Sequence, residues 1–74
     1  MNRINNWKQL LGHANEELKP KGFSIRVTDD GEGFFDCKIY KGRKLLETYA
    51  ENFFEAELPD LVNEVWGYTL RLAS

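Results

Sequence analysis

The sequence has few of the residues that crosslink small proteins or carry out catalysis. Its 74 residues include one cysteine, Cys37, and one histidine, His13. A single thiol cannot form an intramolecular disulfide, so no covalent link supports the core. The His and Cys residues do not have the spacing of metal ligands, and no nucleophile–base motif is present. We therefore expect a protein that is not an enzyme and that has no catalytic residue, metal site or cofactor.

Long apolar runs are also missing. No window approaches the roughly 18 apolar residues of a membrane span, and residues 1–6 lack the apolar stretch of a signal peptide. These features predict a cytoplasmic protein with no membrane partner. The chain is 42% hydrophobic and 14% aromatic with a formal charge of −2, which excludes a disordered chain. Its length predicts one domain over residues 1–74.

Two stretches have the periodicity of amphipathic helices. The first predicts a helix over residues 4–19, capped by an Asn near its start and ended by Pro20 and Gly22. In the second, Asn52 and Glu55 predict a capping box. Pro59 predicts either a kink or a short turn over 53–57 and a main helix from 59 to about 72. The two apolar faces comprise Ile4, Trp7, Leu11, Ala14 and Leu18, and then Phe54, Leu58, Leu61, Val65, Thr69 and Leu72.

Between the helices, alternating apolar residues predict three strands, at residues 23–28, 34–40 and 45–50. A loop over residues 29–33 joins the first two strands. It places Val27 opposite Phe35 and Arg26 opposite Asp36, so apolar residues and opposite charges are paired. The predicted fold is therefore α+β with the order αβββα, a three-stranded antiparallel meander with two helices packed on it.

A two-residue turn at Gly42-Arg43 joins the second and third predicted strands. This register places Tyr40 opposite Leu45 and Lys38 opposite Glu47. It also points Cys37 inward, which predicts a buried and unreactive thiol.

The αβββα order is shared with double-stranded-RNA-binding domains and with several other small folds. Those domains use a basic cluster where their second helix begins. The corresponding positions here are acidic, namely Glu51, Glu55, Glu57 and Asp60. The likeness is therefore one of element order and does not extend to a binding site.

Charge is distributed unevenly along the chain. Residues 1–44 hold nine basic and six acidic side chains, and residues 45–74 hold one basic and six acidic. The meander places the basic residues Lys19, Lys21, Lys41, Arg43 and Lys44 at one end of the sheet. Asp29, Asp30 and Glu32 lie at the other end with Glu51, Glu55 and Glu57. The basic end predicts either weak, non-specific binding of nucleic acid or, as is common for charge runs, only a solvated hairpin tip.

Apolar residues also occupy positions that the meander turns outward. The predicted outer sheet face carries Phe34, Tyr40, Leu45 and Tyr49. Aromatic and basic residues on an open sheet can stack bases. The predicted pairing of Arg26 with Asp36 and of Lys38 with Glu47 would oppose phosphate, and it favours a protein partner. The alternative is that a helix covers this face and the aromatic residues belong to the core.

The last helix carries a second apolar stripe beside its main face, formed by Val62, Trp66 and Leu70. A helix that is apolar nearly all round is buried or shared with a partner, and tryptophan is enriched at interfaces. We therefore predict a non-enzymatic interaction module that forms a homodimer or binds another protein. The alternative function is a nucleic-acid-associated module that uses the basic end. The candidate interface residues are Phe34, Tyr40, Tyr49, Trp66 and Leu70.

Overall fold

A computed structural model describes residues 6–74 of the chain. Its elements are α1 (Trp7–Leu18), β1 (Phe23–Asp29), β2 (Phe34–Lys41), β3 (Lys44–Phe54) and α2 (Leu58–Ala73). Single turns of 3-10 helix at Lys19–Lys21 and Glu55–Glu57 follow α1 and precede α2. The sheet is antiparallel with the strand order β1-β2-β3. The predicted α+β fold with the order αβββα is thus confirmed. Residues 4 and 5, where the first helix was expected to begin, lie outside the described residues.

Local sequence signals explain where the first helix begins and ends. The Asn6 side chain accepts a hydrogen bond of 3.0 Å from the Lys8 N–H and caps α1. Pro20 lies in the 3-10 turn that follows, and Gly22 then reverses the chain with φ 86°, a conformation that glycine adopts without a steric penalty.

The start of the second helix differs in part from expectation. Pro59 lies in the first turn of α2, where the missing N–H costs no hydrogen bond. Of the two predicted alternatives, the structure has the short turn followed by a main helix, but the turn is limited to Glu55–Glu57 because residues 53 and 54 end β3. The predicted capping box is wrong, because Asn52 lies within β3 and has φ 62°.

Both helices pack on the same face of the sheet, which we call the inner face. On α1, the Trp7 ring contacts Phe35 edge-on at 5.7 Å between centroids. On α2, the Tyr68 ring lies 5.0 Å from that of Tyr49. The core between these layers comprises Ala14, Leu18, Phe23, Ile25, Cys37, Ile39, Leu58, Leu61, Val62 and Val65.

Helix α1 also covers part of the free edge of β1, the edge that does not pair with β2. The Asn15 side chain accepts a hydrogen bond of 2.8 Å from the Ile25 N–H and donates one of 3.1 Å to the Ile25 carbonyl. One amide group therefore satisfies both backbone groups of an edge residue, as a neighbouring strand would do.

The predicted register of β1 on β2 is wrong by two residues. Val27 lies opposite Cys37 rather than Phe35, and Arg26 lies opposite Lys38 rather than Asp36. The loop is shorter than expected because the Asp30 N–H donates to the Phe34 carbonyl, which continues the pairing toward the turn. A shift of two residues leaves every side chain on its expected face.

The predicted register of β2 on β3 is correct near the turn and wrong beyond it. Tyr40 lies opposite Leu45 as expected, but Ile39 lies opposite Glu47, and the pairing shifts at two further places along β3. Each shift adds an unpaired residue to β3, and one extra residue moves the following side chains to the other face. Glu47 and Tyr49, expected on the outer face, therefore contact α2 on the inner face.

Candidate interaction surface

The sheet face opposite the helices, which we call the outer face, is not covered by any element of residues 6–74. Alternation along the strands and the observed register place ten residues on it. They are Ser24, Arg26 and Thr28 on β1, Phe34, Asp36, Lys38 and Tyr40 on β2, and Leu45, Thr48 and Phe54 on β3. Phe34 and Tyr40, two of the predicted interface residues, thus lie on the face where they were expected.

Apolar groups lie at both ends of this outer face. At one end, the rings of Phe34 and Phe54 lie 5.1 Å apart, and Phe54 is 55% exposed. At the other end, Leu45 lies opposite Tyr40 and is 46% exposed. These two apolar clusters, on a face that no element of residues 6–74 covers, make the outer face the candidate contact surface.

The half of the outer face nearer the β2–β3 turn is basic. Arg26 lies opposite Lys38, and its guanidinium carbon is 5.0 Å from the centre of the Tyr40 ring, which is cation–π geometry. The carboxylate expected opposite Lys38 is absent because Glu47 lies on the inner face. There it accepts a hydrogen bond of 2.8 Å from the Tyr68 hydroxyl, and this bond raises the pKa of Tyr68.

The half of the outer face nearer the β1–β2 turn is acidic. Asp36 is half-buried, and its side chain accepts a hydrogen bond of 3.1 Å from the Asn52 N–H. This bond ties the carboxylate to the irregular part of β3. The nearby turn adds Asp29, Asp30 and Glu32, of which the first two also bond to backbone N–H groups of the turn. The outer face therefore has a basic end and an acidic end.

The five basic residues predicted to converge are exposed and share the basic end. The Gly42 N–H donates a hydrogen bond of 2.9 Å to the Gly22 carbonyl, which fixes the turn after α1 against the β2–β3 turn. Lys41 also reaches over the Phe23 ring at 5.5 Å. The backbone thus brings Lys19 and Lys21 beside the hairpin tip that carries Lys41, Arg43 and Lys44.

Three of the predicted interface residues lie elsewhere. Tyr49 packs on Tyr68 on the inner face, so its expected outward position is wrong. Trp66 and Leu70 are half-buried and pack against the core. The Trp66 indole N–H also donates a hydrogen bond of 3.0 Å to Glu17 of α1. The second stripe of α2 is therefore largely taken up by packing within the domain.

Phe54 is the large apolar residue of the outer face that the sequence did not indicate. Its spacing of four from Leu58 fitted the apolar face of a helix. It instead ends β3, opposite Phe34. The adjacent pair Phe53 and Phe54 supports a strand as well as a helix, and only the pairing partner separates the two.

The Cys37 thiol is fully buried on the inner face. Burial raises its pKa to about 11, which removes the reactive thiolate at neutral pH. We expect a thiol reagent to label the native protein at neutral pH far more slowly than the protein in denaturant. Rapid, complete labelling of the native protein would show that the inward placement of Cys37 is wrong.

The part of the chain that the structure describes contains no group of three or more His, Cys, Asp or Glu side chains placed to hold a metal ion. Neither of its helices has the length and hydropathy that a membrane span requires. Comparisons with protein-family models, curated proteins and solved structures gave no match.

Proposed function

We propose that the protein is a non-enzymatic interaction module that forms a homodimer through its outer sheet face. The observation that carries the proposal is the exposure of Leu45 and Phe54 at opposite ends of an uncovered face, 46% and 55% respectively. A second copy suits this face because the face has a basic end and an acidic end, which complement each other between two copies.

The size of the face sets the expected affinity. With eight residues in β2 and three strands, the face measures about 26 Å by 14 Å. Two flat faces of this size bury roughly 700 Å² in total, below the about 1,200–2,000 Å² of a standard interface. We therefore expect a weak dimer that forms reversibly, with a dissociation constant of roughly tens of micromolar or more.

One observation favours a nucleic-acid-associated module as the second candidate. Arg26 lies beside Lys38 and Tyr40 with no carboxylate between them, a combination that suits stacking and phosphate contact. The nearby basic end would extend such a site. A nucleic-acid strand that crossed the whole face would also meet Asp36, whose carboxylate repels phosphate. This repulsion favours the dimer over the second candidate.

The decisive variant is Phe54→Ser, with Leu72→Ser as its control. Both residues are exposed, Phe54 by 55% and Leu72 by 41%, but Leu72 lies on α2, away from the outer face. A symmetric dimer loses two phenyl contacts, so we expect Phe54→Ser to raise the dissociation constant about 30-fold. Light scattering over a concentration series measures it, and Leu72→Ser should match the wild type.

Two results would contradict the proposal. One is a wild-type mass that stays monomeric at all concentrations, and the other is an equal effect of the two variants. A monomer that binds an oligonucleotide with strong salt dependence, and loses this binding when Lys41, Arg43 and Lys44 are changed to Glu, would establish the second candidate instead.

A further inference from the structure

The outer positions of β2 form a self-complementary series. In chain order they are aromatic, acidic, basic and aromatic: Phe34, Asp36, Lys38 and Tyr40. The series is centred on Cys37 in the middle strand of the sheet. We infer that, in the dimer proposed above and resting on that proposal, the second copy lies with its strands antiparallel to those of the first.

Two symmetric ways of stacking the outer faces keep the strands of the two copies aligned, and charge separates them. The first has a two-fold axis that lies between the two faces, runs perpendicular to the strands and passes over Cys37. It places Asp36 opposite the partner's Lys38. It also places Phe34 opposite the partner's Tyr40. A two-fold axis along β2 instead places Lys38 opposite the partner's Lys38 and Asp36 opposite the partner's Asp36. The first arrangement pairs opposite charges twice, whereas the second opposes like charges twice.

The flanking strands agree with the antiparallel arrangement. Leu45 lies beside Tyr40, and Phe54 lies beside Phe34, so the axis over Cys37 brings Leu45 against the partner's Phe54. These are two of the four large apolar residues that the described chain leaves exposed. On β1, Arg26 lies beside Lys38. It therefore lies in the half of the outer face that meets the partner's Asp36.

Charge at the ends of the sheet acts in the same direction. The antiparallel arrangement lays the β2–β3 turn of one copy, which carries Arg43, toward the partner's acidic turn that holds Asp30 and Glu32. Lys41 lies over Phe23 on the inner face, so its charge acts only at longer range. The parallel arrangement brings the two basic ends together. Because the end residues are exposed, their contribution should weaken as salt concentration rises.

The separation between the two β2–β3 turns tests the orientation directly. A spin label is attached at Arg43→Cys, which is exposed at the turn, while the buried Cys37 stays unlabelled. The wild-type protein, labelled in parallel, checks this. The turn lies five to six residues from the centre of β2, so antiparallel copies separate the two labels by about 36 Å. Parallel copies would bring the labels within about 20 Å.

A charge variant provides a second and independent measurement. Lys38→Glu converts both cross-copy charge pairs from attractive to repulsive, and we expect its dissociation constant to rise about 30-fold. Arg71→Glu makes the same change in net charge on an exposed part of α2 and should have little effect. In the parallel arrangement Lys38→Glu exchanges one like-charge contact for another and leaves the affinity unchanged.

The outcomes separate the inference from the proposed function. A dimer with long label separation and a selective loss of affinity in Lys38→Glu supports both. A dimer with short label separation, or one indifferent to Lys38→Glu, overturns the antiparallel arrangement and leaves the homodimer standing. A monomer at every concentration overturns the proposed function itself.

Discussion

Replacing Leu58 with alanine is expected to lower the free energy of unfolding by about 3 kcal/mol. Leu58 is the first residue of α2, and its side chain is fully buried in the core. Truncation removes buried apolar contacts and leaves a cavity that a close-packed core closes only in part. A domain of this length has a total stability of roughly 4–11 kcal/mol, so one such change removes a large share of it.

Thermal unfolding measures this effect. For a domain of this size, a loss of 3 kcal/mol corresponds to a decrease in Tm of roughly 12–24 °C. The control is Leu72→Ala, the same substitution in the same helix at a residue that is 41% exposed. We expect it to change stability by less than about 1 kcal/mol. Equal decreases for the two variants would contradict the core described above.

The second large effect is expected for Asn15→Asp. The Asn15 amide donates to the Ile25 carbonyl and accepts from the Ile25 N–H. A carboxylate keeps the acceptor but directs negative charge at the carbonyl oxygen in a half-buried position. We expect this variant to lose about 2–3 kcal/mol of stability at neutral pH.

The loss should depend on pH, and its sign can be worked out. Only a protonated carboxyl group can donate to the Ile25 carbonyl, so the folded state raises the pKa of the new aspartate above its unfolded value. The destabilisation is therefore greatest above the folded pKa and decreases as the pH falls through it.

Denaturant unfolding at neutral and mildly acidic pH checks this prediction, with each value taken relative to wild type at the same pH. The matched control is Asn63→Asp, since Asn63 is exposed and donates one hydrogen bond of 3.2 Å to the Pro59 carbonyl. We expect the control to change stability by about 0.5 kcal/mol or less. A pH-independent loss at position 15 would show that the amide does not act as described.

Periodicity was enough to predict the order of the elements but not the pairing of the strands. In the first hairpin, a register shifted by two residues keeps the same residues buried, so alternation alone cannot detect it. Only the charges differ, because Arg26 lies beside Lys38 instead of Asp36. In the second hairpin, the turn at Gly42 fixes the first pair. The irregularities beyond it leave no signal in the sequence pattern.

The same limits apply to the candidate site. Phe34 and Tyr40 were correctly predicted on the outer face because β2 alternates regularly. Tyr49 was misplaced because it follows the first irregularity of β3. The stripe that holds Trp66 was predicted to be available to a partner, but α1 covers part of it through Glu17. Which helices pack together is a tertiary property that the pattern of one helix does not contain.

The two edges of the sheet determine how far assembly can go. An open edge strand is a template for adding further strands, the route by which β proteins polymerise into fibres. Here the Asn15 amide occupies part of the β1 edge, and repeated irregularities distort the β3 edge. The helices occupy the inner face, so within the described residues one broad face remains for a second copy. In the proposed dimer, association through that face closes at two molecules, and we expect no growth into filaments at high protein concentration.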